Sequence, residues 1–413
     1  MKSMFDEKLN RRKFLQSASA VAASGALLES FGKSADAQAD NVVRIGVIGP
    51  GSRGQELIRQ FLHLPGAEIA AVCDIYEPRF AQVNQLVGKT VPSCKDYREL
   101  LSRKDLDAIV VSTPVSLHSE HVLAALHSGR PVYCEKALAF TPEECQSVVD
   151  AVDKSGQILQ MGFEYRYASW IQESIARIHA GKIGEPTHVY AYWHRNNDWR
   201  RPVPSPDLEH LINWRLYRDI SGGLLTELGS HHIDIANWVF GEQPGRVVGT
   251  TSIVKYHDGR TVGDNVQAVF SYSKGRRLFF SSLTDNAEVG NQLWIYGTEG
   301  SVQLTIEDAT FYYEPKKVEA APAGAEVIEH GITTGASYAT TNEMPYRGPG
   351  EKVQVANVED PTLAGCRAFL HSVRTKEKPI ADVHVGYASA IATVIGNRAL
   401  YEERSYPIPA LKS

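Results

Sequence analysis

Beyond residue 41 the chain alternates short apolar runs with amphipathic stretches. Val42–Ile48 and Ala67–Cys73 are almost continuously apolar, as strands buried on both faces of a sheet must be. Asp107–Ser112, Pro131–Cys134 and Ile158–Phe163 repeat that signature, and Leu117–His127 and Pro142–Lys154 between them carry helical spacing. This strand–helix alternation predicts an α/β fold whose first part is a doubly wound parallel sheet. From about Thr187 the pattern changes. Val247–Lys255, Val262–Tyr272, Arg277–Leu283, Gln292–Tyr296 and Val302–Ile306 are β-rich runs, joined by short turns such as Lys274-Gly275 and Thr298-Glu299-Gly300. Their close spacing predicts mainly antiparallel pairing in an open sheet. Residues 315–358 are irregular and rich in Gly, Pro, Ala and Glu, and helical patterns over Pro361–Lys376 and Val385–Glu403 close the chain. The expected domains are 40–165 and 166–413, with the last helices able to pack back on the first domain.

The residues before 40 read differently. Asn10-Arg11-Arg12-Lys13-Phe14-Leu15-Gln16 precedes a weakly apolar run to Leu28, and Ala35-Asp36-Ala37 and Ala37-Gln38-Ala39 fit small-x-small cleavage sites. The segment resembles a twin-arginine export signal, which implies recognition by that export machinery and a periplasmic or otherwise exported protein. A disordered basic tail is the plainer alternative. Removing residues 1–39 takes away six cationic and four anionic side chains, moving the formal net charge from −5 to −7. Such a balance argues against nucleic acid or an anionic membrane as a partner. No apolar run reaches transmembrane length. Cys73, Cys94, Cys134, Cys145 and Cys366 show no metal-ligand spacing, so buried free thiols are expected.

The densest chemical signal follows the first strand. Gly49, Gly51 and Gly54 stand at G-x-G-x-x-G spacing, with Ser52 and Arg53 opening the next helix. That arrangement permits a tight turn, close backbone approach to a pyrophosphate, and helix N–H groups facing the phosphate charge. The second strand ends in Asp74, where a carboxylate can hold both ribose hydroxyls and repel a 2′-phosphate. NAD is therefore expected over NADP, with Arg79 able to soften the preference.

Three further groups carry candidate chemistry. Glu135-Lys136-Ala137 ends a strand of the parallel sheet, and ligands bind beyond such strand ends, so Lys136 is expected to face the cofactor crevice. A solvated strand-end lysine is the alternative. Glu227 and His231 follow the glycine pair Gly222-Gly223, four residues apart, and would share a helix face. A carboxylate beside a histidine can orient the ring for general-base work; an ordinary surface pair is the bland reading. His232 is expected to be structural, and Asp234 either contacts substrate or caps a local network. The segment Trp193–Arg218 mixes Trp193, Trp199 and Trp214 with Asn196, Asn197, Asp198, Arg200 and Arg201. Aromatic faces and planar polar groups suit a polyhydroxylated ligand; a subunit contact would use the same residues. The spacing of the histidines and acids matches no strong metal motif, so no metal is expected.

Gly49-x-Gly51-x-x-Gly54, Thr113-Pro114-x-x-x-His118, Glu135-Lys136 and the glycine-led Glu227-x-x-x-His231 occur in one order. In this the chain resembles the glucose–fructose oxidoreductase / inositol dehydrogenase (Gfo/Idh/MocA) family over roughly residues 42–400. The resemblance implies an N-terminal Rossmann domain and a C-terminal α/β domain with a large open sheet, whose outer face often forms oligomers. It implies NAD-dependent hydride transfer at a carbinol carbon of a sugar, glycoside or cyclitol. By resemblance Lys136 and His231 take the catalytic positions, with Glu227 where Asp is commoner. Thr113, Pro114, His118 and Glu135 would join the cofactor contacts, and Arg166 and Asp234 the substrate contacts. Ala137 replaces the usual proline after the lysine. Two rivals stay open: an NAD-dependent glycosidase using transient oxidation and elimination, and a non-catalytic NAD-bearing sugar-binding protein.

Overall fold

The computed structural model describes residues 42–314, 349–356 and 358–412. The export-signal reading falls on residues outside this range, as does most of the irregular stretch 315–358. The first domain comprises β1 (Val43–Ile48), α1 (Ser52–Leu62), β2 (Ala67–Cys73), α2 (Pro78–Val87), β3 (Ser93–Cys94), α3 (Tyr97–Ser102), β4 (Ala108–Val111), α4 (His118–His127), β5 (Val132–Cys134), α5 (Pro142–Ser155) and β6 (Leu159–Met161). Its strands form one parallel sheet in the order β3-β2-β1-β4-β5-β6. The order reverses between β1 and β4, which opens a crevice at their C-terminal ends. Helix ends follow local chemistry. Thr141 and Glu144 form a reciprocal capping box at the start of α5, Pro142 takes its first turn, and Gly156 ends it in a left-handed conformation.

The second domain begins with α6 (Ser169–His179) and β7 (Pro186–Asn196). A π-helical turn at Leu225–Gly229 then runs into α7 (Ser230–Phe240). The strands β8 (Arg246–Ser252), β9 (Asn265–Ser271), β10 (Arg277–Leu283), β11 (Asp285–Gly297), β12 (Gly300–Thr305), β13 (Ala309–Tyr313), β14 (Glu351–Lys352) and β15 (Tyr406–Pro407) complete it. With β7 they build a nine-stranded sheet, ordered β14-β13-β12-β11-β7-β10-β9-β8-β15. Pairing is antiparallel except between β7 and β10, which run parallel. The central strand β7 and helix α6 were absent from the sequence-based elements. The aromatic and charged residues of β7 mask its period of two, although Val189 and Ala191 are fully buried at alternate positions.

Two long helices close the chain, α8 (Pro361–Thr375) and α9 (Val383–Glu402). Helix α8 returns to the first domain, where Phe369 meets Phe61 and Tyr133 edge to face at 6.3 and 5.7 Å. Helix α9 lies against the second sheet beside α5 and α7. One apolar core therefore runs from α4 and α5 through α9 into the second sheet, while a smaller one sits under α1 and α8. All five cysteines are free thiols, four of them buried and Cys94 partly so. No described helix is long and apolar enough to cross a membrane.

Candidate active site

The turn after β1 is shaped by contacts that exclude side chains. Gly49 has φ +82°, and a Cβ there would stand 2.6 Å from the Thr113 methyl group. A Cβ on Gly54 would meet the Gly49 carbonyl oxygen at 2.6 Å, so that position sets how closely α1 packs on the turn. A Cβ on Gly51 would touch only the Arg79 side chain, leaving the outer side of the turn open. Among the described residues no side chain caps α1, whose first N–H groups face that opening. Arg201 reaches over from the second domain and donates from Nη1 to Ser52 Oγ at 2.6 Å. Its backbone is fixed by Asn213, which accepts from Arg201 N and donates to Arg201 O. Asp74 follows β2, accepts from Tyr76 N at 2.8 Å, and lies 3.4 Å from Arg79 Nε. Burial raises its carboxyl pKa above the usual value, against the pull of the Tyr76 N–H and Arg79. An open glycine turn, an uncapped helix and a strand-end carboxylate together fit a dinucleotide.

A cavity of about 250 Å³ opens beyond the ends of β4 and β5. Thr113, Glu135 and Lys136 line it from the first domain, and Trp193, Glu227 and His231 face them from the second. Lys136 Nζ donates to the Glu227 main-chain oxygen at 2.7 Å and stands 3.6 Å from its carboxylate. Glu227 is itself buried, and Arg215 Nε donates to it at 3.1 Å. The two cations together outweigh burial and hold the Glu227 carboxyl below its usual pKa. His231 is buried, stacks on Tyr165 at 4.9 Å, and meets Phe163 edge on. Its Nε2 is 3.8 Å from Glu164 Oε1, beyond hydrogen-bond length, and its Nδ1 has no partner among the described residues. Burial first, then Lys136, push the imidazole pKa well below its ordinary value, so the ring is neutral.

The expected Glu227–His231 pairing is not what the fold builds. The π-helical turn over Leu225–Gly229 adds a residue to the repeat, and Glu227 turns to Lys136 and Arg215 instead. The acid nearest His231 Nε2 is Glu164, from the turn after β6. His232 is fully buried and bonds Asn291, which donates to the Tyr165 hydroxyl beneath His231. Burial drives its pKa down to about 3. His232 thus supports the ring on which His231 rests.

Several expected contacts lie elsewhere. Arg166 and Asp234 form a buried bidentate pair at 2.8 and 2.9 Å, capped by Trp238, and the remaining Arg166 Nη1 donates to the Ile380 carbonyl oxygen at 3.4 Å. Asn196 is exposed and accepts from Lys255, while Asn197 and Asp198 bind the backbone N–H groups of Trp199 and Arg200 in a tight loop. Arg200 is held by Asp258 and Glu209. Of that loop only Trp199 lines the cavity, joined by Trp193, Arg195, Trp214 and Arg215. Buried His118 sits between the Ala137 and Thr113 carbonyl oxygens at 2.6 and 2.8 Å, and so braces the Lys136 turn from behind. The Lys136–Ala137 peptide is cis. Arg53 Nε pairs with Glu135 at 2.8 Å and its Nη2 approaches Glu164 at 3.4 Å, forming a charged wall of the cavity. Pro114 leads into the short turn before α4. Sequence reasoning missed Glu164, Tyr165, Arg195 and Arg215. For Arg195 a signal existed, since it continues the buried face Val189–Ala191–Trp193 of β7.

A family model described as an oxidoreductase family with an NAD-binding Rossmann fold matches residues 43–163. A GFO/IDH/MocA C-terminal domain model matches residues 171–303. An uncharacterized oxidoreductase of Streptococcus pneumoniae serotype 4 is 31% identical over 269 residues, which is 64% of this chain and 69% of that protein. A glycosyl hydrolase family 109 protein of a Shewanella species is 31% identical over 186 residues, spanning 43% of this chain and only 40% of that one. Among solved structures, levoglucosan dehydrogenase in complex with NADH and levoglucosan superposes with a TM-score of 0.70. It is 20% identical, with 90% of this chain and all of that chain covered, and so supports the fold.

Proposed function

The chain belongs to the Gfo/Idh/MocA oxidoreductase family, and on that premise we propose that it moves hydride between a carbinol carbon of a sugar, glycoside or cyclitol and a tightly held NAD. One observation carries this reading. Lys136, from the end of a Rossmann strand, and neutral His231, from a helix of the other domain, line a single cavity next to the glycine turn. NAD, when bound, supplies the hydride acceptor. Gly49, Gly51 and the uncapped start of α1 would hold its pyrophosphate, Arg201 would add a cation there, and Asp74 would take the adenosine ribose. Asp74 disfavours a 2′-phosphate, which supports NAD over NADP.

Within the cavity His231 Nε2 is the base that takes the proton of the reacting hydroxyl. Lys136 Nζ donates to the same oxygen and stabilises its negative charge as the C–H bond breaks. Glu227 holds Lys136 in place through its main-chain oxygen and its carboxylate. Glu164 lies near enough to His231 to stabilise the imidazolium that results. Trp193, Trp199 and Trp214 offer aromatic faces to the C–H faces of a sugar ring.

An exported location rests on the twin-arginine-like residues 10–16 and the alanine-rich sites before residue 40. A homo-oligomer is supported by the outer face of the second sheet, where Tyr190 stacks on Phe279 at 4.5 Å and Trp294 on Tyr296 at 6.2 Å. The glycosidase reading is favoured by the hydrolase family 109 relative, and one assay separates the two. Purified protein incubated with free sugars, cyclitols and chromogenic glycosides should form reduced nicotinamide. Aglycone release without net nicotinamide reduction would establish the glycosidase instead, and neither signal across the panel would remove both.

A further inference from the structure

We propose that the sugar taken into this cavity carries a carboxylate, and that Arg195 receives it. The inference deepens the hydride-transfer reading and rests on it for the sugar alone. Arg195 lies near the end of β7, two residues after Trp193 on the strand face that looks toward the first domain. Its guanidinium stands over Trp193 at 5.4 Å and Trp199 at 5.0 Å. These rings hold it in place but satisfy none of its five N–H donors. Among the described residues no carboxylate pairs with it, and its buried Nε has no hydrogen-bond partner.

Every other cation of the cavity is matched. Arg53 faces Glu135 and Glu164, while Lys136 and Arg215 share Glu227. Four cations thus meet three carboxylates, and the unmatched charge sits among aromatic rings. Burial and the neighbouring Arg215 lower the Arg195 pKa, and among the described residues the Tyr165 hydroxyl acts in the other direction. An unpaired, partly desolvated guanidinium is costly unless something enters to pair with it. A planar carboxylate matches its fork with two parallel hydrogen bonds, which an uncharged hydroxymethyl group cannot do. A hexuronate or a related sugar acid fits that requirement while leaving a ring hydroxyl for Lys136 and His231.

The test is calorimetric titration of the purified holoprotein with methyl glycosides of gluco, galacto and manno configuration. Each is supplied as the uronate and as its uncharged uronamide. In at least one configuration the uronate should bind about tenfold to a hundredfold more tightly than the amide, the usual worth of a charge-assisted bond. Arg195→Gln should bring that ratio close to one, and Arg195→Lys should retain part of it. The proposal is overturned if no configuration shows the preference, if it survives Arg195→Gln, or if Arg195→Gln purifies without its nucleotide, which would assign the residue to the cofactor. Nicotinamide absorbance is followed alongside. Selective uronate binding without reduction would sink the dehydrogenase reading and leave the carboxylate site standing.

Discussion

Lys136 Nζ donates a 2.7 Å hydrogen bond to the main-chain oxygen of Glu227, joining the end of a Rossmann strand to the π-helical turn of the other domain. The Glu227 carboxylate lies 3.6 Å from the same ammonium. The lysine is thus held by both parts of one residue, which fixes its position across the domain boundary. Lys136→Met should therefore keep the fold and the nucleotide yet lower turnover by about two to four orders of magnitude, as loss of a positioned charge-stabilising group does. Steady-state kinetics with nucleotide content measured on the same sample check this. Unchanged turnover would exclude Lys136 from the reacting centre.

His231 sets the pH response. Burial and Lys136 hold its folded pKa well below the ordinary value, so it stays a neutral base as pH falls through about 6.5. The acid limb of kcat should lie below that point, and His231→Asn should remove it along with most of the rate. Stability has a related dependence. Below about pH 6.5 the unfolded chain binds protons that His231, His232 and His121 refuse in the fold, the last two held down to about 3 and 4. The resulting penalty grows as pH falls, so stability rises with pH through this window. Urea unfolding at several pH values measures the slope; a flat profile between pH 6.5 and 4 would contradict the burial of these rings.

The first domain was legible because both faces of its sheet are covered, which forces continuous apolar strands with glycine turns between them. The Gly49–Gly54 turn, Asp74 and Lys136 all fell at strand ends that this pattern marks. The roof of the cavity was harder to read. A heavily aromatic strand hides its alternation, so Trp193 was read only as part of an aromatic and polar segment with no element assigned, and Arg195 was not singled out. Glu164 and Tyr165 sit in a short turn with no period at all. The Glu227–His231 expectation assumed a regular helical repeat, and the π-helical turn turns Glu227 toward other partners. Asn196, Asn197 and Arg200 illustrate another limit: polar density in a sequence marks a loop that satisfies itself as readily as one that binds a ligand.

The contact between Arg201 and Ser52 predicts how firmly the nucleotide is held. With its backbone anchored by Asn213, the guanidinium sits at the start of α1 from across the domain boundary. Arg201→Ala should leave the secondary structure intact and weaken nucleotide retention by about tenfold to a hundredfold, the worth of one charge-assisted contact. Mass spectrometry of nucleotide remaining after exhaustive dialysis measures it. Equal retention in wild type and variant would show that this arginine serves only Ser52.

Arg166 and Asp234 should behave as a structural pair. Their side chains are 10% and 2% exposed and bond each other through two contacts. Removing one partner strands a buried charge, at a cost of about 3–5 kcal/mol. Arg166→Met should therefore lower the midpoint of urea unfolding sharply, with the Michaelis constant of the folded fraction near wild type. A raised Michaelis constant with unchanged stability would return the pair to the substrate site.

Trp199 and Arg200 are neighbours in sequence with opposite expected effects. Trp199 adopts φ +64°, uncommon for a bulky residue, and thereby places its ring on the cavity wall beside Arg195. The Asn197 side chain holds the turn by accepting from its backbone N–H. Arg200 leaves the same loop toward Asp258 and Glu209, away from the cavity lining. Trp199→Ala removes a sugar-facing surface and half of the support under Arg195. The Michaelis constant should rise about tenfold to a hundredfold, the scale of one or two lost binding contacts, with no loss of nucleotide. Arg200→Ala should loosen the loop, seen as faster proteolysis between residues 196 and 213, and change the Michaelis constant far less. If Arg200→Ala raised it as much as Trp199→Ala, the loop would act as one binding unit, and the separation of ring and ion pair drawn from the geometry would fail.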